Sequence, residues 1–357
     1  MKQNKIIRPS LILDKQKCIV NISRMKTKAD KNKVKFRPHF KTHQSAIVGS
    51  WFKEIGVSSI TVSSVEMAKY FACNGWNDIT IAFPLNVLEM DEINKLSTKV
   101  SLNVLIDNIE TLSVLKQKVE NRLGVYIKID TGYGRAGIKS EDIEEIECLI
   151  NEIKNCNSLL FHGFLTHAGH TYHTNSKNEI KNIFFETKTK MTALKKYFSK
   201  NGDIEISVGD TPSCSIVDDF SGIDEIRPGN FVFYDVMQKY LGSCGYEDIA
   251  VALACPVVAK YKSRNEVLIY GGGVHLSKEF ILMPDGNKLF GEIVKFDKNS
   301  WKKPIENIYL SSLSQEHGII KANPEFIEAI KIGDLIGVLP VHSCLTANLM
   351  KDFYILK

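Results

Sequence analysis

Five separated stretches of the chain hold residue types that do chemistry together. "RPHFKTHQS" (37–45) packs Arg37, His39, Lys41 and His43 into seven residues. A lysine in such company is a solvated basic loop, an anion site or a reactive amine. "DTGYGRAG" (130–137) presents Arg135 on a glycine-rich loop, and "THAGHTY" (166–172) presents His167, His170 and Tyr172. "GDTPS" (209–213) sets Gly209 and Thr211 in a turn whose backbone N–H groups and hydroxyls can cradle an anion. "RPGNFVFYD" (227–235) adds Arg227, Gly229 and Asn230. One lysine, two arginines and a Gly/Thr/Ser turn suit a phosphorylated ligand. Lysine with phosphate fits pyridoxal phosphate (PLP) carried on the lysine. It fits equally an aldolase-type barrel acting on a sugar phosphate.

Taken singly, each stretch has a plainer reading: a surface lysine, ordinary turn chemistry, an exposed loop arginine, a hydrogen-bonded core histidine. Their position along the chain raises them together, because each follows a β-rich run. Eight such runs are legible: 34–39, 57–62, 78–83, 101–106, 123–130, 159–168, 204–209 and 223–229. Most are short and rich in Val, Ile and Leu, as strands buried on both faces are. Helical signals lie between them. Ser45 and Ser64 are N-cap candidates, Gly56 and Gly75 are stops, and Ile143, Ile146, Leu149, Ile150 and Ile153 recur at helical spacing. A long helix is expected within 178–201. Eight strands alternating with helices predict a parallel sheet closed as a (β/α)8 TIM-type barrel. Such barrels carry their chemistry at the C-terminal ends of the strands, so Lys41, Arg135, His167, the 209–213 turn and Arg227 should share one rim.

After about residue 236 the texture changes to strands separated by Gly, Pro, Asn and Asp, with one short helical stretch near "NPEFIEAIK". This predicts a separate, mostly-β domain. Composition is that of a globular protein, 44% apolar and 24% charged, with a net charge of +5. The lysines are scattered, without the dense basic stripe of a nucleic-acid binder. No apolar run is long enough for a membrane span, and the start lacks the h-region of a signal peptide. None of the eight cysteines forms a C-x-x-C pair. A cytoplasmic protein with reduced thiols is expected.

The ordered set "RPHFKTH", "DTGYGRAGI", "FLTHAGHTY", "GDTPS" and "EIRPGNFVFYD" resembles fold-type III PLP enzymes, a barrel followed by a β domain as in alanine racemase. "SQEHG" (314–318) and "PVHSCLTANL" (340–349) resemble the branch containing D-serine dehydratase and D-threonine aldolase. The resemblance runs from about residue 8 almost to the C-terminus. It implies a PLP-binding barrel over 21–235 and a β domain over 236–357 joined by residues 1–20. It implies that Lys41 carries PLP and acts as base at Cα, that His167 stacks on the ring and that Arg135 approaches the phenolic oxygen. Gly209, Thr211, Gly229 and Asn230 would bind the phosphate, Arg227 matches the arginine that meets the pyridine nitrogen in alanine racemase, and Tyr172 would lie near the substrate. His342 and Cys344 match the metal pair of D-serine dehydratase. A Lewis acid there would help a poor leaving group, hydroxide, to depart, and Cys with His favours zinc over magnesium.

Two departures from the branch pattern stand out: "YGGGVHLSKE" (270–279), with His275 as an extra potential acid, base or ligand, and "LTANL" after the metal pair. The expected activity is a PLP-dependent, zinc-assisted lyase removing water and ammonia from a D-β-hydroxy amino acid such as D-serine. A D-threonine-type aldolase and an amino-acid racemase are the alternatives; a simple PLP carrier is disfavoured by the size of the β domain. The expected partner is a small D-amino acid, with neither nucleic acid nor membrane, and the expected assembly is a homodimer.

Overall fold

The computed structural model describes residues 6–297 and 300–356; of the expected elements only residues 1–5 and 357 of the second domain's termini, with 298–299, lie outside them. The chain divides into two compact units. One comprises residues 23–41 and 45–229, the other residues 1–22, 42–44 and 230–357.

The first unit is the parallel barrel. Its eight strands follow the spatial order Lys35–Phe36, Glu225–Ile226, Glu205–Val208, Leu159–Leu165, Leu123–Asp130, Ser101–Ile106, Asp78–Pro84, Ile60–Val62. A parallel bridge between His39 and Thr61 joins the two ends of that order. Phe40 N donates to Thr61 O (2.8 Å) and Thr61 N to Pro38 O (2.9 Å), which closes the ring. All eight expected runs contribute a strand. Two of them, 34–39 and 223–229, shrink to two-residue strands because each run contains a proline, Pro38 and Pro228, whose nitrogen cannot donate to a ladder. The helices start where the caps predict. Ser45 Oγ accepts from Val48 N ahead of Ala46–Glu54, and Ser64 Oγ from Met67 N ahead of Val65–Cys73. Ile146, Leu149, Ile150 and Ile153 form the buried stripe of Ile143–Lys154.

The second unit is antiparallel. Six strands form a ring: Val251–Tyr261, Glu266–Tyr270, His317–Lys321, Tyr309–Leu313, Gly291–Val294 and Leu335–Pro340, with the first pairing both the second and the last. Its interior is apolar, built from Leu253, Val257, Val267, Ile269, Ile293, Leu310, Ile320 and Val338 among others. Ser10–Asp14 pairs antiparallel with Val251–Tyr261 and parallel with the C-terminal strand Phe353–Leu356. That first strand, the helix Lys15–Lys31 behind it and the helix Ser343–Met350 are elements the sequence reading does not anticipate.

Candidate active site

In the barrel unit, Lys41 sits just beyond the bridge that closes the ring and is exposed. Its neighbour Phe40 fixes the strand end. That ring is fully buried, with centroids 4.9 Å from Phe52, 4.9 Å from Phe71 and 5.0 Å from Trp76. Arg37 does not join Lys41. It turns into the wall, donating Nε to Glu225 (2.6 Å) and Nη1 to Asp78 (2.6 Å). His39 Nδ1 accepts the Lys41 amide (3.4 Å). Burial, then the charges of Lys41 and Arg227, push the His39 pKa well below the ordinary histidine value, so its ring is neutral.

His167, on the loop after Leu159–Leu165, is held through Nδ1 by the carbonyl of Gly209 (2.5 Å). Burial and the charge of Lys41 push its pKa well down too. A ring with one nitrogen tied to a backbone carbonyl and no charge presents a flat apolar face. Tyr133, a residue the sequence reading passes over, packs edge-on to His167 (6.1 Å) and parallel to His170 (6.0 Å), while the Arg135 guanidinium lies 5.1 Å over the Tyr133 ring. The close approach explains Gly169: a Cβ there would stand 2.3 Å from the Tyr133 ring. Asp130 shapes the Arg135 loop. Burial raises its pKa, but the N–H groups of Gly132, Tyr133 and Gly134 all donate to its carboxylate and the net shift is downward.

"GDTPS" is a helix start rather than a simple turn. Asp210 caps Thr211–Ile216 by accepting from Ser213 N (2.7 Å), with Pro212 in the first turn. Burial raises Asp210 to about 6. Thr211 and Ser213 are fully buried, and the hydroxyl oxygen of Thr211 lacks a hydrogen-bond partner. Such a group is costly unless something else satisfies it. Gly209 is pressed against Arg227, where a Cβ would meet the arginine's carbonyl carbon at 2.8 Å. Tyr172 OH accepts from Thr211 N (3.3 Å).

Arg227 is buried; Nε donates to Ser207 Oγ (2.6 Å) and Nη2 to the Thr166 carbonyl (2.5 Å). Desolvation, only partly offset by Glu225, lowers it to about 10. A further buried basic residue, besides Arg37 and Arg227, is Lys128 on Leu123–Asp130, which the sequence motifs do not single out. Burial and then Arg227 and Arg135 push its pKa down to about 7. A signal existed: a lysine in an otherwise apolar strand, "LGVYIKID".

In the second unit, His342 occupies the position just before the helix Ser343–Met350, without a side-chain capping bond, and Cys344 lies in its first turn. His342 Nδ1 is 2.7 Å from Glu279 Oε2. Burial works against charge on His342, but hydrogen bonds to Cys344 and Glu279 push it up to about 11. Burial opposes ionisation of Cys344, yet His342 wins and the thiol is lowered. Thr42 Oγ1, one residue after Lys41 in sequence, is 3.2 Å from Cys344 Sγ. Asn230 is brought to this group: Nδ2 donates to Asp235 Oδ2 (2.6 Å), Ser343 Oγ (3.1 Å) and Cys344 Sγ (3.5 Å). No cluster of three or more His, Cys, Asp and Glu side chains suited to a metal exists among the described residues. His275 is used in packing. Its Nδ1 accepts from Gly272 N (3.2 Å), its ring meets Tyr270 edge-on, and Nε2 is 3.7 Å from Glu316.

Residues 13–236 match the family model "Alanine racemase, N-terminal domain", and residues 250–356 match "Putative serine dehydratase domain". D-serine dehydratase of Dictyostelium discoideum is 31% identical over 94% of this chain and 90% of its own length. Among solved structures, D-threo-3-hydroxyaspartate dehydratase from Delftia sp. HT23 superposes with a TM-score of 0.91 at 22% identity, covering 99% of this chain and 95% of that one. A cysteine-to-alanine variant of a D-threo-3-hydroxyaspartate dehydratase, described as the metal-free form, gives 0.92 at 22% identity, covering 99% and 96%. The fold is thus the alanine racemase-like barrel with its β domain. The chain belongs to the family of the D-serine dehydratases. No helix among the described residues is long and apolar enough to cross a membrane.

Proposed function

We propose that this protein is a PLP- and zinc-dependent lyase that converts D-serine to pyruvate and ammonia. The observation that carries the reading is the presence, in one chain, of a barrel rim bearing Lys41, His167 and Arg135 and of a neighbouring His342 and Cys344 whose thiol is lowered by the histidine.

The residues fit both groups. The unpartnered, buried hydroxyl of Thr211, with the buried Ser213 near it, fits phosphate oxygens beside Gly209 and Gly229. The neutral face of His167 fits a stacked pyridine ring, and Arg135 fits its phenolic oxygen. Arg227 is committed to Ser207 and Thr166 through Nε and Nη2, and the role proposed for it is to keep the ring's nitrogen end in a cationic setting. Asn230, which the resemblance implies as a phosphate residue, has its Nδ2 donor engaged with Asp235, Ser343 and Cys344. Cys344, lowered by His342, is the kind of thiol that ligates zinc, and two protein ligands leave coordination positions open.

When bound, PLP supplies an electron sink for charge at Cα and zinc a Lewis acid for the β-hydroxyl. The chain does the rest. Lys41 takes the Cα proton of the substrate. Tyr172, anchored by the Thr211 amide, orients the substrate. His342 and Cys344 hold the metal. Loss of the Cα proton and of hydroxide from Cβ leaves aminoacrylate, which water converts to pyruvate and ammonia.

The test has two parts. Purified protein reconstituted with PLP should show a visible absorption band that borohydride or Lys41→Ala removes. The same protein should release pyruvate from D-serine and 2-oxobutanoate from D-threonine. Glycine with acetaldehyde from D-threonine would make it an aldolase, and racemised D-serine without pyruvate would make it a racemase. Absence of the band sinks the reading.

A further inference from the structure

Glu279 belongs to none of the motifs assigned a role above; it closes "YGGGVHLSKE", the stretch that departs from the branch pattern. Its Oε2 stands 2.7 Å from Nδ1 of His342. With Nδ1 engaged, Nε2 is the ring nitrogen left for Cys344 or for a metal. Histidines that bind metals usually donate their other N–H to a carboxylate, which fixes tautomer and ring orientation. Resting on the metal reading above, we infer that Glu279 is the positioning residue of the His342–Cys344 pair. It accepts the Nδ1–H of His342, leaves Nε2 as the nitrogen available to a metal beside Cys344, and does not itself ligate the metal.

The surrounding backbone holds it in place. The short helix Gly273–Leu276 ends at Ser277, whose φ of 71° and ψ of 177° fall in a region that is essentially glycine's. Ser277 Oγ then accepts the amide of Glu279 (3.3 Å). The fully buried Thr346 donates through one hydroxyl to the carbonyl of Leu276 (3.2 Å) and to that of His342 (3.1 Å). The segment leading to Glu279 and the segment bearing His342 are therefore tied through one side chain. An incidental surface ion pair would need none of this and would contribute little. The pair is itself partly exposed, the His342 side chain 32% and the Glu279 side chain 49%, so what Glu279 contributes is the orientation of the ring rather than Coulomb energy.

The experiment measures zinc affinity of the full chain, stripped of metal and titrated against a chromophoric chelator. Wild type, Glu279→Ala and Glu279→Gln are compared. Wild type is expected to bind one zinc, and Glu279→Ala to bind it about 10–100-fold more weakly. Glu279→Gln, which still offers an oxygen to the Nδ1–H, should recover most of that loss. The metal-free proteins should unfold at the same denaturant concentration. Equal affinity in wild type and Glu279→Ala overturns the inference and leaves the metal reading standing. A wild type without a tight zinc site overturns both. An affinity loss matched by lower stability of the metal-free Glu279→Ala variant makes Glu279 a structural residue and overturns the inference as well.

Discussion

Arg37 and Lys41 are four residues apart in one basic cluster and have opposite fates. Lys41 stays exposed at the rim; Arg37 is almost wholly buried, and although burial works against its charge, Glu225 and Asp78 outweigh it and raise its pKa. The sequence reading groups the two because the deciding partners lie 41 and 188 residues away. Residue type and spacing cannot register such long-range pairing. Glu225 goes on to accept from Ser207 Oγ (2.6 Å), and Ser207 accepts from Arg227, so the pair also steadies the arginine of the proposed cofactor site. Removing Arg37 takes from the buried Glu225 side chain its nearest cation and leaves it Lys35 at 3.9 Å. Arg37→Ala is expected to cost about 3–5 kcal/mol in a denaturant melt, the range for breaking a buried ion pair from one side. A loss below about 1 kcal/mol would assign the pair no more weight than a surface contact.

At the scale of elements, the strand ends do the positioning, and they were unevenly legible. Leu123–Asp130 coincides with its expected run because it is eight residues of nearly unbroken apolar sequence. Ser343–Met350 was not anticipated: it is short, rich in Ser, Thr and Asn, and begins at a histidine that makes no side-chain capping bond. The rim loops are legible as polar, but their internal fastenings are not. Asp130 is the clearest case, one carboxylate binding three successive loop amides ahead of Arg135. Asp130→Ala removes a charged acceptor from a partly exposed loop, which should lower stability by about 1–2 kcal/mol. Because the Arg135 loop loosens with it, PLP affinity should fall more than the stability does in proportion. Titration of the metal-free protein with PLP, followed by absorbance, checks this. Unchanged PLP affinity would mean that Tyr133 and Gly169 hold the loop unaided.

At the scale of the whole molecule, the chain passes between its two units four times, and Lys41 is the last barrel residue before one of those passages. Strand alternation and the loss of helical pattern after 236 made the two architectures legible. The N-terminal strand Ser10–Asp14 was not, because its partners, Val251–Tyr261 and Phe353–Leu356, lie at the other end of the chain. The price of gathering cations in the barrel appears in global stability. Burial brings the Lys128 pKa in the fold down to about 7 from the ordinary lysine value of 10.5. Between those two pH values the unfolded chain binds a proton at Lys128 that the folded chain does not. Stability from this group therefore rises with pH across that window, and the full penalty is present below it. His342, raised to about 11, acts in the opposite sense over the same range, so the total curve is not diagnostic. The difference between wild type and Lys128→Met is. Methionine fills similar space without the charge. Lys128→Met should be the more stable protein at pH 6, and its advantage should shrink steadily as pH approaches 10. Denaturant melts of both proteins across that range measure it. A difference that stays flat with pH would show that Lys128 keeps its proton in the fold, beside the charges of Arg135 and Arg227.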